Sequence, residues 1–119
     1  MIRAKRLFKS FTYACRGLGK VFKEEQNFKI EIIAGVVVLA LAIYFRFSYL
    51  DLAILVLVIG LVLLAEVVNS VVELISDILK PKLDYYVKKI KDMVAAAVLV
   101  ASFTALIVGV IIFAKNLFL

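Results

Sequence analysis

The chain has 119 residues, of which 66% are apolar and 20% charged, with a formal charge of +6. A soluble domain of this size cannot bury so much apolar surface, because small folds have a high ratio of surface to volume, so lipid must be the solvent for much of it. A single cysteine, Cys15, and no histidine exclude an internal disulfide and a Cys/His zinc site, and they leave acid–base chemistry to carboxylates, lysines or tyrosines.

Residues 1–27 read as a basic amphipathic helix suited to the headgroup layer. Ala4, Leu7, Phe8, Phe11, Cys15, Leu18 and Phe22 recur at helical spacing, and Arg3, Lys5, Arg6, Lys9, Arg16, Lys20 and Lys23 fill the other side. A signal peptide fits poorly: the charged region is too long, and no small-residue cleavage site follows a short apolar core. Cys15 is a packing residue in this reading.

Three apolar runs follow. The first span is expected over residues 29–47, with Glu31 near its start and Arg46 near its end. The second is expected over 50–79; it is free of polar residues from Leu52 to Ala65 and then continues as EVVNSVVELISDIL. Pro81 ends it, and residues 80–91 are expected as a basic loop. The third is expected over 92–115, an ordinary length for a span. Within it Ala97, Ala101, Ala105 and Gly109 fall four apart, a small-residue seam for close helix packing.

Charge sets the orientation. Eight of the 15 basic residues precede Ile30 and five lie between Lys80 and Lys91, leaving Arg46 and Lys115. The positive-inside rule then places the N-terminus and the 80–91 loop in the cytoplasm and the C-terminus outside. The same positive charge is read as contact with anionic lipid, not as a nucleic-acid surface.

The chemistry concentrates after Ala65. Offsets of 3, 7 and 11 return to nearly one direction on a helix, so Glu66, Asn69, Glu73 and Asp77 form one polar stripe. Each ionised group near mid-membrane costs about 2.5–3.5 kcal/mol on insertion scales, so the stripe faces something other than lipid. Asp77 is near the basic edge and Glu66 lies about 16 Å deeper at the helical rise. Glu24, Glu25 and Asn27 at the entry to the first span, and Lys91 and Asp92 at the entry to the third, bring polar groups to the same layer. Three readings stay open on these residues: interhelical pairing, such as Lys91 with Asp77 or Glu73; a proton or ion path; and a metal–phosphate site, since carboxylates bind Mg²⁺ with phosphate completing the shell. Neither GxxxxGK[ST] nor GxGxxG is present.

The run E-V-V-N-S-V-V-E-L-I-S-D from Glu66, followed by K-D-M-V-A-A-A-V-L from Lys91, resembles the prokaryotic diacylglycerol kinase family, which includes undecaprenol kinases. The resemblance extends over nearly the whole chain, with E-x-N-F at Glu25 to Phe28 and a basic surface helix; one departure is Val71, where members usually carry Ala. It implies an all-α membrane protein with an N-terminal amphipathic surface helix and three transmembrane helices, assembled as a homotrimer with sites shared between subunits. It implies transfer of the ATP γ-phosphate to a membrane lipid hydroxyl with Mg²⁺. By motif position, Glu66 is implied as the catalytic base, with Asn69 supporting it and Lys91 on the phosphates. Glu25 and Glu73 are implied as metal-binding carboxylates, and Arg6, Tyr13, Asp77 and Asp92 join Glu25, Glu73 and Lys91 around the nucleotide.

The acceptor divides the family. The stretches E-x-N-F-K-I and R-L-F-K-S-F resemble undecaprenol-type members, yet Glu31 stands where those often carry His. Diacylglycerol is the expected acceptor and undecaprenol the alternative. Two other function classes make different demands. A proton-coupled transporter needs a continuous polar route, which the apolar outer halves of the spans do not offer. A non-catalytic helical subunit would use the stripe for assembly alone.

Overall fold

The computed structural model describes residues 3–119; residues 1 and 2 of the expected surface helix lie outside them. The described residues form four helices and no strand: α1 (Ala4–Glu24), α2 (Gln26–Tyr44), α3 (Tyr49–Leu79) and α4 (Asp84–Leu117). Helices α2, α3 and α4 are each long and apolar enough to cross a membrane. At 1.5 Å per residue, α3 is about 46 Å long, more than the roughly 30 Å hydrocarbon core needs.

The short α2–α3 connection is built as a helix C-terminal motif. Arg46 has φ 58°, in the left-handed region. Phe47 N–H donates to the Ala42 carbonyl (2.9 Å) and Arg46 N–H to the Ile43 carbonyl (3.1 Å), a Schellman pattern in which Arg takes the place usually held by Gly. The accompanying apolar contact is present: Phe47 and Ala42 join Leu55 and Ile112 in one buried cluster, with Phe113 edge-on to Phe47 at 4.9 Å. Ser48 then caps α3 by accepting from Asp51 N–H.

The same end carries a buried charge that the sequence reading does not single out. Asp51, 4% exposed, accepts from Lys115 Nζ (3.2 Å) and Asn116 Nδ2 (3.0 Å). The network ties the start of α3 to the end of α4.

The expected basic loop over 80–91 is shorter than that range. Pro81 and its neighbours break the chain, but α4 resumes at Asp84. The cause is an apolar residue within the basic stretch: Val87 is fully buried, and its N–H donates to the Leu83 carbonyl at 2.9 Å. Lys88, Lys89 and Lys91 are therefore presented from a helix. Of the small-residue seam, Ala101 is buried and shares a cleft with Leu61, Leu64 and Ala65 of α3, while Gly109 has open space around it.

Helices α2 and α3 approach closely at Gly35. A Cβ there would stand 2.9 Å from Ile59 Cγ2, and Ile59 is β-branched and stiff. Gly35→Leu is expected to force the two helices apart and lower stability by about 1–3 kcal/mol, the usual range for overpacking; the shift in unfolding midpoint in detergent–SDS mixtures measures it.

Candidate active site

The polar stripe of α3 opens into a cleft shared with α2 and α4. The cleft has a volume of about 370 Å³ and is lined by Asn27 of α2, Glu66, Asn69 and Glu73 of α3, and Lys91 and Asp92 of α4, among others. Helical spacing explains the α3 contribution: residues 66, 69 and 73 share one face, which α4 flanks.

Burial is graded along the stripe. Glu66 is 3% exposed, Asn69 and Glu73 are half-buried, and Asp77 is exposed. Asn69 Nδ2 donates to Glu73 Oε1 at 3.3 Å, fixing one Glu73 oxygen. Lys91 Nζ lies 3.8 Å from Asp77 Oδ1, a long and solvent-exposed ion pair.

Glu25 is the residue between α1 and α2, in an extended conformation (φ −107°, ψ 109°). That break in the helix turns its carboxyl toward α3, within hydrogen-bonding reach of Glu73 and beside Ser70. Burial, and then the charge of Glu73, push the Glu25 carboxyl above its ordinary value. Two carboxylates at such a distance repel, and a divalent cation between them would remove the repulsion. The donor set suits Mg²⁺, which takes one or two carboxylates and completes its shell with phosphate and water. No group of three or more His, Cys, Asp or Glu side chains forms a self-sufficient metal cage among the described residues.

Glu66, Asn69, Glu73, Lys91 and Asp92 therefore meet in one place, with Glu25 adjoining through Glu73. Asp77 stands at the rim on Lys91. Arg6 and Tyr13 do not line the cleft of their own chain; both are exposed on α1, where the Arg16 guanidinium stacks over the Tyr13 ring. Two participants carry no role in the sequence reading. Glu31 of α2 lies within hydrogen-bonding reach of Glu66, and Ser70 reaches Glu25. The signal for Glu31 is a lone carboxylate inside an apolar run; Ser70 has no signal beyond its place in the N-S pair.

Comparison with known proteins places the chain in a family. Residues 12–113 match the prokaryotic diacylglycerol kinase family. The chain belongs to that family. It is 35% identical over 107 residues to a diacylglycerol kinase of Synechocystis, covering 89% of this chain and 61% of that protein, so it spans less than two thirds of that relative. It is 32% identical over 112 residues to the undecaprenol kinase of Bacillus subtilis, covering 94% of this chain and 91% of the relative. A diacylglycerol kinase of Helicobacter pylori is 33% identical over 96 residues, covering 81% and 75%. The family's activity makes a nucleotide phosphate donor part of the chemistry.

The exposed Lys91–Asp77 pair contributes little to the fold. Asp77→Asn is expected to change stability by less than about 0.5 kcal/mol, as is usual for exposed pairs; thermal unfolding in detergent checks this.

Proposed function

We propose that this family member is an ATP-dependent lipid kinase that transfers the γ-phosphate to the hydroxyl of diacylglycerol, giving phosphatidic acid. The observation that carries the reading is the graded cleft, in which one buried carboxylate lies below a shallower set of carboxylate, amide and ammonium groups. A lipid hydroxyl approaches from the bilayer and a soluble nucleotide from the aqueous edge, and the gradient suits each.

Glu66 takes the hydroxyl proton as general base. Asn69 orients Glu73, and Glu73 with Glu25 holds Mg²⁺ and ATP. When bound, Mg²⁺ neutralises charge on the phosphates. Lys91 contributes positive charge where it develops on the transferred phosphoryl group. Asp92, and Asp77 through its contact with Lys91, complete the nucleotide side.

The assembly that fits this reading is a homotrimer in an inner membrane. The basic N-terminal helix lies on the cytoplasmic surface, residues 80–91 face the cytoplasm and the C-terminus faces outward. Arg6 and Tyr13, remote from the cleft of their own chain, then meet the nucleotide site of a neighbouring subunit.

Undecaprenol is the second acceptor, favoured by the near full-length match to the Bacillus subtilis enzyme. The deciding experiment presents purified protein in mixed micelles with Mg-ATP and both lipids in competition, and follows labelled phosphate into each. Preferential labelling of diacylglycerol supports the proposal, preferential labelling of undecaprenol moves the activity to the alternative, and no transfer to either sinks the kinase reading. Glu66→Gln is expected to lower kcat by about 10²–10⁴-fold, the usual share of a general base, while nucleotide binding persists. Full activity in that variant removes Glu66 as the base.

A further inference from the structure

The first span buries one face against α3, along Phe28, Gly35 and Ala42. Glu31 falls on that face at helical spacing from Phe28 and Gly35, and it is the only charged residue there. Gly35, one turn further on, brings α2 within side-chain contact of Ile59, so the Glu31 side chain is held against α3. Its carboxyl is within hydrogen-bonding reach of Glu66. One of its oxygens, Oε2, is wholly inaccessible and has no hydrogen-bond partner.

No salt bridge reaches either carboxyl among the described residues: Lys91, which lines the cleft with Glu66, pairs at the rim with Asp77. The cleft that Glu31 does enter, about 290 Å³ between α2, α3 and α4, is otherwise apolar apart from Ser102; its walls include Ala34, Val38, Ile59, Ala105 and Leu106. A carboxyl with a buried, unpartnered oxygen in an apolar cleft is costly unless hydrogen bonds satisfy it. One hydrogen shared between Glu31 and Glu66 joins an oxygen of each and removes the repulsion between them.

We propose that Glu31 is a positioning residue for the phosphoryl-transfer base: in its acid form it donates a hydrogen bond to one oxygen of Glu66 and leaves the other oxygen facing the acceptor hydroxyl. This rests on the kinase reading and deepens it. In the step itself the acceptor O–H bond breaks and its proton goes to the free oxygen of Glu66. The acceptor oxygen bonds to the γ-phosphorus, and the bond from that phosphorus to the bridging oxygen breaks, releasing ADP. The Glu31 proton stays on Glu31 throughout, so its part is orientation.

Glutamine and methionine separate this role from mere packing. Both match Glu31 in length, but only Gln donates a hydrogen bond. In mixed micelles with Mg-ATP and lipid acceptor, Glu31→Gln is expected to keep kcat within about threefold of the wild type. Glu31→Met is expected to lower kcat about 10–100-fold with KM for ATP unchanged, as for loss of one hydrogen bond to a charged group. Wild-type kcat in the Met variant overturns the proposal. So does a Gln variant that is more than tenfold impaired while still binding a fluorescent ATP analogue; this second measurement decides the matter even if the Met variant does not fold. An inactive wild type fails the kinase reading itself, whereas an active wild type beside an unimpaired Met variant fails the positioning role alone.

Discussion

Hydrocarbon does not solvate charge, and this constraint governs where the chain puts its polar groups. The basic residues stand at helix ends, on α1 or in the 80–91 segment. Glu31, Asp51 and Glu66 are acidic side chains held against other helices. Each faces a protein surface, and those surfaces shape how α2, α3 and α4 pack. The close approach at Gly35 and the cluster around Phe47 and Leu55 hold the surfaces in place.

The two ends of the bundle answer the constraint in opposite ways. At the end with the α2–α3 turn the charge is satisfied within the chain. Asp51 accepts from Lys115 and Asn116, Ser48 caps the helix that carries it, and Ala42, Phe47, Leu55 and Ile112 form a buried cluster beside it. At the end that carries the cleft the polar groups are left open. Glu31 Oε2 is buried without a partner, and Glu25 is set against Glu73 with like charge. A structure that satisfies its charges at one end and leaves them unsatisfied at the other has a functional reason at the second. Unsatisfied, like-charged oxygens facing a cleft call for cations and donors that arrive from outside, as a metal-bound nucleotide and a hydroxyl would.

The helices and the stripe are legible in the sequence because both depend on local periodicity. Eighteen or more apolar residues define a span whatever its partners, and 66, 69 and 73 share a face in any α-helix. The start of α4 is less legible: Tyr85, Lys88 and Lys89 suggest a polar loop, and the single residue that draws the segment into helix, Val87, has significance only through its burial. Contacts between helices are illegible for the same reason. Asp51 and Lys115 are 64 residues apart and read separately as a helix-start acid and a terminal base. The proximity of Glu31 to Glu66 depends on the rotation of α2 against α3, which Gly35 permits but does not announce. Glu25 differs: its motif marked it as important, yet only the one-residue break between α1 and α2 turns it toward Glu73.

What one chain leaves uncovered is also informative. Its accessible surface is 9410 Å², against about 6,500 Å² for a compact soluble monomer of 13.3 kDa. Lipid accounts for much of the excess on α2 and α4. Lipid does not account for α1, where Leu7, Phe8, Phe11 and Tyr13 are more than half exposed on a helix that also carries Arg6, Lys9 and Arg16. Such a helix is stable only where an apolar layer and a polar one meet. The cleft runs from the buried Glu66 to the half-buried Lys91, so it makes the same demand as α1: one end suits an apolar surrounding and the other a polar one.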